Sequence, residues 1–145
     1  MGALSGEGRS ASLCVTGEKL SSFSLDHVIP WSLKRRDFIW NLVPTTQQTN
    51  SKKGDRLPCL DTYGADLIDA GWRLFLFLFL FHSDVQLKTK ERDQLGLEYS
   101  ALLNCHVSDL QEVNKETFKL QLADQYRRGS LLAVQSGFSV DWRLG

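Results

Sequence analysis

Residues 23–58 of the chain read FSLDHVIPWSLKRRDFIWNLVPTTQQTNSKKGDRLP. Near the start of this stretch, Asp26 and His27 are adjacent in an apolar run that predicts a short strand ended by Pro30. A carboxylate next to an imidazole at the end of a strand can bind a metal ion and move a proton within one small space. Adjacent Asp and His residues occur by chance in many proteins, so the residues that follow decide what the pair means.

Two asparagines follow the pair. Asn41 lies 14 positions after His27, beyond a basic loop at residues 34–37, and Asn50 lies 23 positions after His27. Read singly, Asn41 could be a turn residue, and Asn50 could bond to its own helix backbone. Read together with Asp26, the spacing favours a site in which two neighbouring elements hold a divalent ion between them.

A short helix is predicted around Asn50. Thr45 or Thr46 can cap its start, and Gly54 would end it after residue 53. The predicted order of parts is therefore a strand, a loop, a second short strand and a helix.

This stretch resembles the HNH endonuclease family, whose ββα-metal motif has the same order of parts. The runs DHVIPWS, WNLVP and TNSKKGDRLP keep an Asp-His pair, a middle Asn and a final Asn before Lys. The spacing is similar to that of the HNH domains of CRISPR RNA-guided nucleases and of bacterial antiphage effectors. We therefore expect an α+β fold, with a flexible tail at residues 1–12, a ββα-metal (HNH) nuclease motif at 13–58 and a mainly helical support or interaction region at 59–145.

The resemblance implies a role for each motif residue. His27 would be the general base, Asp26 and Asn50 would bind the metal ion, and Asn41 would hold the loop after His27 in place. Ser24 stands where the CRISPR relatives have a second acidic residue. The lower negative charge would weaken the affinity for Mg²⁺ or favour Mn²⁺.

These residue types suit phosphodiester hydrolysis. The reaction needs a nucleophile, compensation of charge on the phosphoryl oxygens and help for the leaving oxygen. An imidazole titrates close to neutral pH and can take a proton from water. Mg²⁺ prefers oxygen ligands and keeps several waters, so two protein oxygens are sufficient. The products would be a 5′ phosphate and a 3′ hydroxyl, and one site would cut one strand.

Basic side chains flank the proposed metal site, where the phosphates of a nucleic acid would lie, and the resemblance implies that this nucleic acid is DNA. They are Lys34, Arg35, Arg36, Lys52, Lys53 and Arg56. Each could equally be part of an ordinary solvated surface. The chain as a whole has 17 basic and 17 acidic residues, which excludes a globally basic DNA-binding protein.

The cysteines argue against a disulfide framework and favour a reducing cytoplasm, because Cys14, Cys59 and Cys105 are an odd number without paired spacing. Many HNH proteins carry two Cys-x-x-Cys pairs that bind a structural zinc ion. Here the other three positions of those pairs hold Gly17, Thr46 and Thr49. One thiol cannot form a tetrahedral cysteine site, so we expect no structural zinc.

The most apolar stretch reads WRLFLFLFLF at residues 72–81. It is too short to span a bilayer, which needs about 20 residues. Its alternation fits either a strand or a helix buried on all sides, and the preceding residues favour a helix. The segment must be covered by this chain or by a protein partner or fused targeting domain.

Two further helices are predicted. One lies within residues 84–105, and the other opens with a capping box at Ser108 and Gln111, continues to about Arg128 and ends at Gly129. Residues 130–145 fit a helix or a strand. His82 and His106 have no motif neighbours and are expected to be structural.

Three functions remain open. The first is a metal-dependent HNH endonuclease acting on DNA, as a subunit or domain of a larger bacterial defence or CRISPR-type effector. The second is a non-catalytic nucleic-acid-binding module that keeps the motif for its shape. The third is a structural or interaction protein with a vestigial motif and an obligate interface on the apolar segment.

Overall fold

The computed structural model describes residues 24–35, 37–79 and 89–144. A two-stranded sheet and a short helix come first, and longer helices follow. In chain order the elements are β1 (Ser24–His27), α1 (Trp31–Lys34), a first 3₁₀ helix (Ile39–Asn41), β2 (Leu42–Thr45), α2 (Gln47–Lys53), α3 (Leu60–Phe79), α4 (Thr89–Leu103), a second 3₁₀ helix (Val107–Glu112) and α5 (Lys115–Gln135). The predicted α+β class, a ββα motif followed by a helical region, is confirmed.

The strands β1 and β2 are antiparallel, with Asp26 opposite Val43 and His27 opposite Leu42. Successive side chains of a strand point to opposite faces of the sheet. Asp26 and Val43 are accordingly buried, whereas His27 and Leu42 are partly exposed. The hairpin therefore separates the side chains of the Asp-His pair onto its two faces.

The predicted helix around Asn50 is confirmed, and it begins and ends at the predicted residues. Thr46 is the N-cap of α2, and its hydroxyl accepts a hydrogen bond of 3.0 Å from the backbone N–H of Thr49. Gly54 ends the helix with φ of 57°, a left-handed conformation that glycine adopts without strain.

The apolar segment is helical, as predicted, and forms the C-terminal half of α3. Phe75 is fully buried, with ring centroids 4.9 Å from Phe118 of α5 and 5.1 Å from Tyr99 of α4. Phe77 on the other side of the helix is 50% exposed. Much of the segment is thus covered by this chain, while residues 80 and 81 lie outside the described part. None of the helices in the described ranges is long and apolar enough to cross a membrane.

The prediction that Ser108 and Gln111 open the last helix is wrong. Residues 107–112 form a 3₁₀ helix whose N-cap is His106, and its ring accepts from the Ser108 N–H. Helix α5 begins only after Asn114, whose side chain accepts a 2.8 Å hydrogen bond from the Thr117 N–H. The side chain of Asn114 thus caps the helix four residues before Phe118, its first buried residue.

The predicted end of that helix at Gly129 is also wrong, because α5 continues to Gln135. Gly129 is buried inside the helix, and a Cβ built there would lie 2.3 Å from Cδ1 of Ile29. The glycine therefore serves close packing of the loop after β1 against α5. It does not terminate the helix.

The C-terminal stretch is helical to Gln135 and then extended. Pro58 and Trp142 form a parallel bridge, and the Trp142 N–H donates to Leu57 O over 3.1 Å. Trp142 is buried beside Tyr63 of α3. This contact connects the end of the chain to the segment that follows α2. The helix expected within residues 84–105 corresponds to α4, the tail at 1–12 lies outside the described residues, and the boundary at residue 58 stays a prediction.

Candidate active site

Asp26 is 8% exposed and points toward α2. Its Oδ2 atom lies 3.0 Å from Nζ of Lys53, which is 2% exposed. Burial raises the pKa of Asp26, since a charged carboxylate is poorly solvated there, while the charge and hydrogen bond of Lys53 act in the opposite direction without cancelling it. The site thus holds a carboxylate with a cation already beside it.

The ammonium of Lys53 has an acceptor for each of its three protons. Besides Asp26, it donates to the backbone oxygens of His27 over 3.0 Å and Gly54 over 3.4 Å. The sequence predicted that Lys53 lies on the surface and contacts phosphates. This prediction is wrong, because the side chain is buried and connects α2 to β1.

His27 lies on the opposite face of the hairpin, and its side chain is 26% exposed. Its Nε2 atom is 2.8 Å from Oδ1 of Asp37, the acid at the end of the basic loop. Asp37 is 68% exposed. The imidazole is therefore open to solvent while one of its nitrogens is engaged.

Asn41 is fully buried and binds the chain just after His27. Its Oδ1 accepts a 2.8 Å hydrogen bond from the Ile29 N–H, and its Nδ2 donates to Ile29 O over 2.9 Å. Its backbone oxygen also accepts from the Val28 N–H over 2.9 Å. These three bonds hold Val28 and Ile29 against Asn41, where side-chain bonds to Ile29 replace the backbone pairing of the strands. The strand β1 therefore ends at His27 and does not extend to Ile29 as predicted.

Asn50 lies on α2 one turn before Lys53. Residues three apart share a face of a helix, and Lys53 contacts Asp26, so α2 presents the face that bears Asn50 to the strand that bears Asp26. The side chain of Asn50 is partly exposed. Across the described ranges, no hydrogen bond engages its amide.

The donor set fits a hard divalent ion in its chemistry. Asp26 and Asn50 offer a carboxylate and an amide oxygen, and Mg²⁺ is commonly held by one or two carboxylates with waters completing its shell. Among the described residues, no group of three or more His, Cys, Asp or Glu side chains could hold a metal ion. An ion at this position would therefore retain waters and share the Asp26 carboxylate with Lys53.

The other basic residues differ in their surroundings. Lys34 is partly buried with Nζ 5.5 Å from the ring centroid of Trp40, and burial lowers its pKa. Arg56 donates to the backbone oxygens of Lys53 and Lys52 at the C-terminus of α2. The side chains of Arg35 and Lys52 are exposed, and Arg36 lies outside the described residues.

The family model described as HNH endonuclease matches residues 16–59. Over this segment the chain is similar to the HNH endonuclease family. The segment contains β1, β2 and α2 with Asp26, His27, Asn41 and Asn50. The match indicates a nuclease-type function and a nucleic-acid substrate, and HNH nucleases generally use a divalent metal ion. No curated protein and no solved structure matches the chain.

Three contacts of this HNH segment were missed by sequence reasoning: Lys53 with Asp26, Asp37 with His27, and Ile29 with Gly129. Asp37 carried a signal, since it is the one acid in a loop of three cations at residues 34–37. The expected absence of structural zinc stays a prediction, because Cys14 and Gly17 lie outside the described part. Cys59 and Cys105, which are described, are free thiols.

Proposed function

We propose that this chain is a metal-dependent HNH endonuclease that hydrolyses phosphodiester bonds of DNA. The observation that carries the proposal is the arrangement of three side chains around the hairpin. Asp26 faces α2, the imidazole of His27 is partly exposed to solvent, and Asn41 hydrogen-bonds the backbone that follows His27. All of these residues lie within the matched segment. In this proposal the motif at residues 13–58 is the nuclease unit, and residues 59–145 support it.

Asp26 and Asn50 would bind Mg²⁺ or Mn²⁺. When bound, the ion supplies charge compensation at the phosphoryl oxygens and at the leaving 3′ oxygen. Of the two proposed ligands one is a carboxylate, since Ser24 occupies the position of a second acid in CRISPR-type relatives. Lys53 already compensates the charge of that carboxylate. We therefore propose weak binding of Mg²⁺ and a preference for Mn²⁺.

His27 would act as the general base. With Nε2 engaged by Asp37, its Nδ1 is the nitrogen left to take a proton from the attacking water. Asn41 would keep the imidazole in place through Ile29, since its three hydrogen bonds fix the two residues that follow His27. The products would be a 5′ phosphate and a 3′ hydroxyl, with one strand cut per site.

DNA would be held by the exposed cations on both sides of the hairpin. Arg35 follows α1 and Lys52 lies on α2, and the side chains of both residues are exposed. Lys34 and Arg56 would contribute further positive charge, and so would Arg36, whose position lies outside the described residues. Phosphate contacts of this kind position DNA without reading its sequence.

Target choice would come from a protein partner or a fused targeting domain. No recognition helix or zinc finger is evident from the sequence, and half-exposed Phe77 in the apolar segment offers a contact for such a partner. We propose that the chain is the nuclease subunit or domain of a larger bacterial defence or CRISPR-type effector in the cytoplasm.

One observation favours a second candidate function, a non-catalytic nucleic-acid-binding module. Lys53 neutralises Asp26 without a metal ion, which is what a motif kept for its shape would need. Such a module would bind DNA with a steep dependence on salt and would cut nothing.

The test is the conversion of supercoiled plasmid to nicked circles with Mg²⁺, with Mn²⁺ and with EDTA. The endonuclease should nick with either ion and not in EDTA, and Asp26→Ala and Asn50→Ala should reduce the rate most at low ion concentration. Salt-dependent DNA binding without nicking under any ion would favour the non-catalytic module. If the protein neither binds nor nicks DNA, the third function, a structural or interaction protein, would be favoured.

A further inference from the structure

We propose that Asp37 is a positioning residue that fixes the ring orientation and tautomer of His27. The inference rests on the proposed function, in which His27 is the general base. It adds a residue to the motif that neither the family match nor the spacing of Asp26, Asn41 and Asn50 assigns.

Asp37 and His27 are in direct contact through their side chains. Asp37 Oδ1 lies 2.8 Å from His27 Nε2, the length of a charge-assisted hydrogen bond. An ionised carboxylate has no proton to donate, so in the neutral imidazole the hydrogen must reside on Nε2. Nδ1 then keeps its lone pair and is the atom able to accept a proton from water. The carboxylate thus selects the tautomer that a general base at Nδ1 requires.

The loop that carries Asp37 follows helix α1. Helix α1 ends after four residues at Arg35, which has φ of 56° in the left-handed region. This conformation is uncommon for a residue with a side chain and ends the helix. Two residues after this C-cap, Asp37 contacts the imidazole.

Both ends of the loop are fixed. On one side Ile29 is held by Asn41. On the other side the Ile39 N–H donates to Glu98 of α4 over 2.7 Å, and the ring of Phe38 stacks on Trp40 with centroids 5.4 Å apart. Exposed ion pairs usually contribute little because ordering two side chains is costly. A loop anchored at both ends reduces that cost for Asp37.

Lys53 is a second charged side chain that contacts His27. Lys53 contacts only the backbone oxygen of His27 and leaves its ring free. Within the residues that the structure describes, the side chain that accepts a hydrogen bond from the ring is Asp37. Removal of this carboxylate should therefore release the ring without disturbing the buried Asp26 pair.

The experiment compares Asp37→Ala and Asp37→Asn with Asp55→Ala, which removes the same charge from an exposed turn after α2. In plasmid nicking, Asp37→Ala should lower kcat about 10- to 100-fold, the usual loss when a group that orients a functional imidazole is removed. KM and the affinity for Mn²⁺ should stay within about twofold, since Asp37 contacts neither proposed ligand. Asp37→Asn keeps an accepting oxygen and should lose less than Asp37→Ala.

A second readout does not depend on activity. In protein labelled with ¹⁵N-histidine, at a pH where the imidazole is neutral, long-range ¹H–¹⁵N spectra should show His27 protonated at Nε2 with a hydrogen-bonded N–H signal. That signal should persist in Asp55→Ala and disappear in Asp37→Ala. Its absence from the wild type, or its persistence in Asp37→Ala, would overturn the inference.

Different results would overturn the proposed endonuclease activity and the proposed positioning role of Asp37. A wild-type protein that never nicks DNA overturns the proposed endonuclease and, with it, the role of Asp37 in positioning a general base. A wild type that nicks, with full kcat in Asp37→Ala, overturns only the positioning role. A loss of Mn²⁺ affinity in Asp37→Ala would make Asp37 a ligand and would also overturn it.

Discussion

Nζ of Lys53 lies 3.0 Å from Oδ2 of Asp26, and both side chains are almost completely buried. The pair joins the last turn of α2 to β1, so the two elements that would hold a metal ion are already connected by a salt bridge. A buried pair of this kind contributes little net stability, but the loss of one partner leaves an uncompensated charge. The pair therefore makes the fold of the motif sensitive to either residue alone.

Lys53→Met should lower the free energy of unfolding by about 3 to 5 kcal/mol, because it leaves the Asp26 carboxylate buried without a partner. Chemical denaturation measures the change. Lys52→Met is the matched control, since Lys52 is exposed and its loss should change stability by no more than about 0.5 kcal/mol. The double variant Asp26→Asn/Lys53→Met should recover part of the loss. Equal stabilities of the two single lysine variants would contradict the pair's role.

Gly129→Ala should destabilise the protein by about 1 to 3 kcal/mol through overpacking. The new Cβ would lie 2.3 Å from Cδ1 and 2.6 Å from Cγ1 of Ile29, a fully buried residue that cannot simply turn outward. Because Asn41 holds Ile29, the shift should also lower the nicking rate. Thermal denaturation and plasmid nicking measure both effects.

Gly64→Ala is the control for that substitution. Gly64 is buried in α3, and a Cβ there would make an ordinary contact of 3.7 Å with Leu60. Alanine favours a helix over glycine, so this variant should be unchanged or more stable by up to about 1 kcal/mol. If the two glycine variants behave alike, the account of Gly129 as a close-packing position is wrong.

Tyr126 should make the protein more sensitive to alkali. Its hydroxyl is buried and donates to Trp40 O over 3.2 Å, and burial raises its pKa well above the ordinary value of 10.0. The phenol then ionises in the unfolded chain near pH 10 but stays neutral in the folded protein. The unfolded state is stabilised by that ionisation, so stability falls as the pH rises through about 10.

Tyr126→Phe tests this prediction. At neutral pH it should cost about 1 kcal/mol, because Trp40 O loses its buried partner. Between pH 9 and 11 the gap in unfolding free energy between the variant and the wild type should narrow, since phenylalanine has no proton to release. A gap that stays constant or widens across this range would mean that Tyr126 ionises equally in both states.

The local parts of the fold were predictable because they depend on neighbours in sequence. Thr46 caps α2 through a residue three positions away, and Gly54 ends it through its own backbone conformation. The roles of the motif residues were assigned from the family resemblance, and they stay predictions. The predicted cap at Ser108 failed because residues 107–112 form a 3₁₀ helix that buries Leu110 in the core, and tertiary packing overrides a weak local signal.

The contacts that shape the site were not predictable from the sequence because each joins distant residues. Lys53 looked like one more surface cation, and only the register of α2 against β1 shows that it is buried on Asp26. Gly129 looked like a helix end, whereas Ile29 lies 100 positions earlier in the chain. Periodicity reports which face of an element is apolar, but it does not report which residue on another element meets that face.

The most direct test of the endonuclease assignment is the initial rate of plasmid nicking with Mn²⁺ by the wild type and by His27→Ala. His106→Ala serves as the control, because His106 is exposed and caps a 3₁₀ helix far along the chain. Loss of a general base should reduce the rate by about 100-fold or more, while His106→Ala should nick at nearly the wild-type rate. Nicking by His27→Ala at the wild-type rate, or an intact plasmid with the wild type, would contradict the assignment.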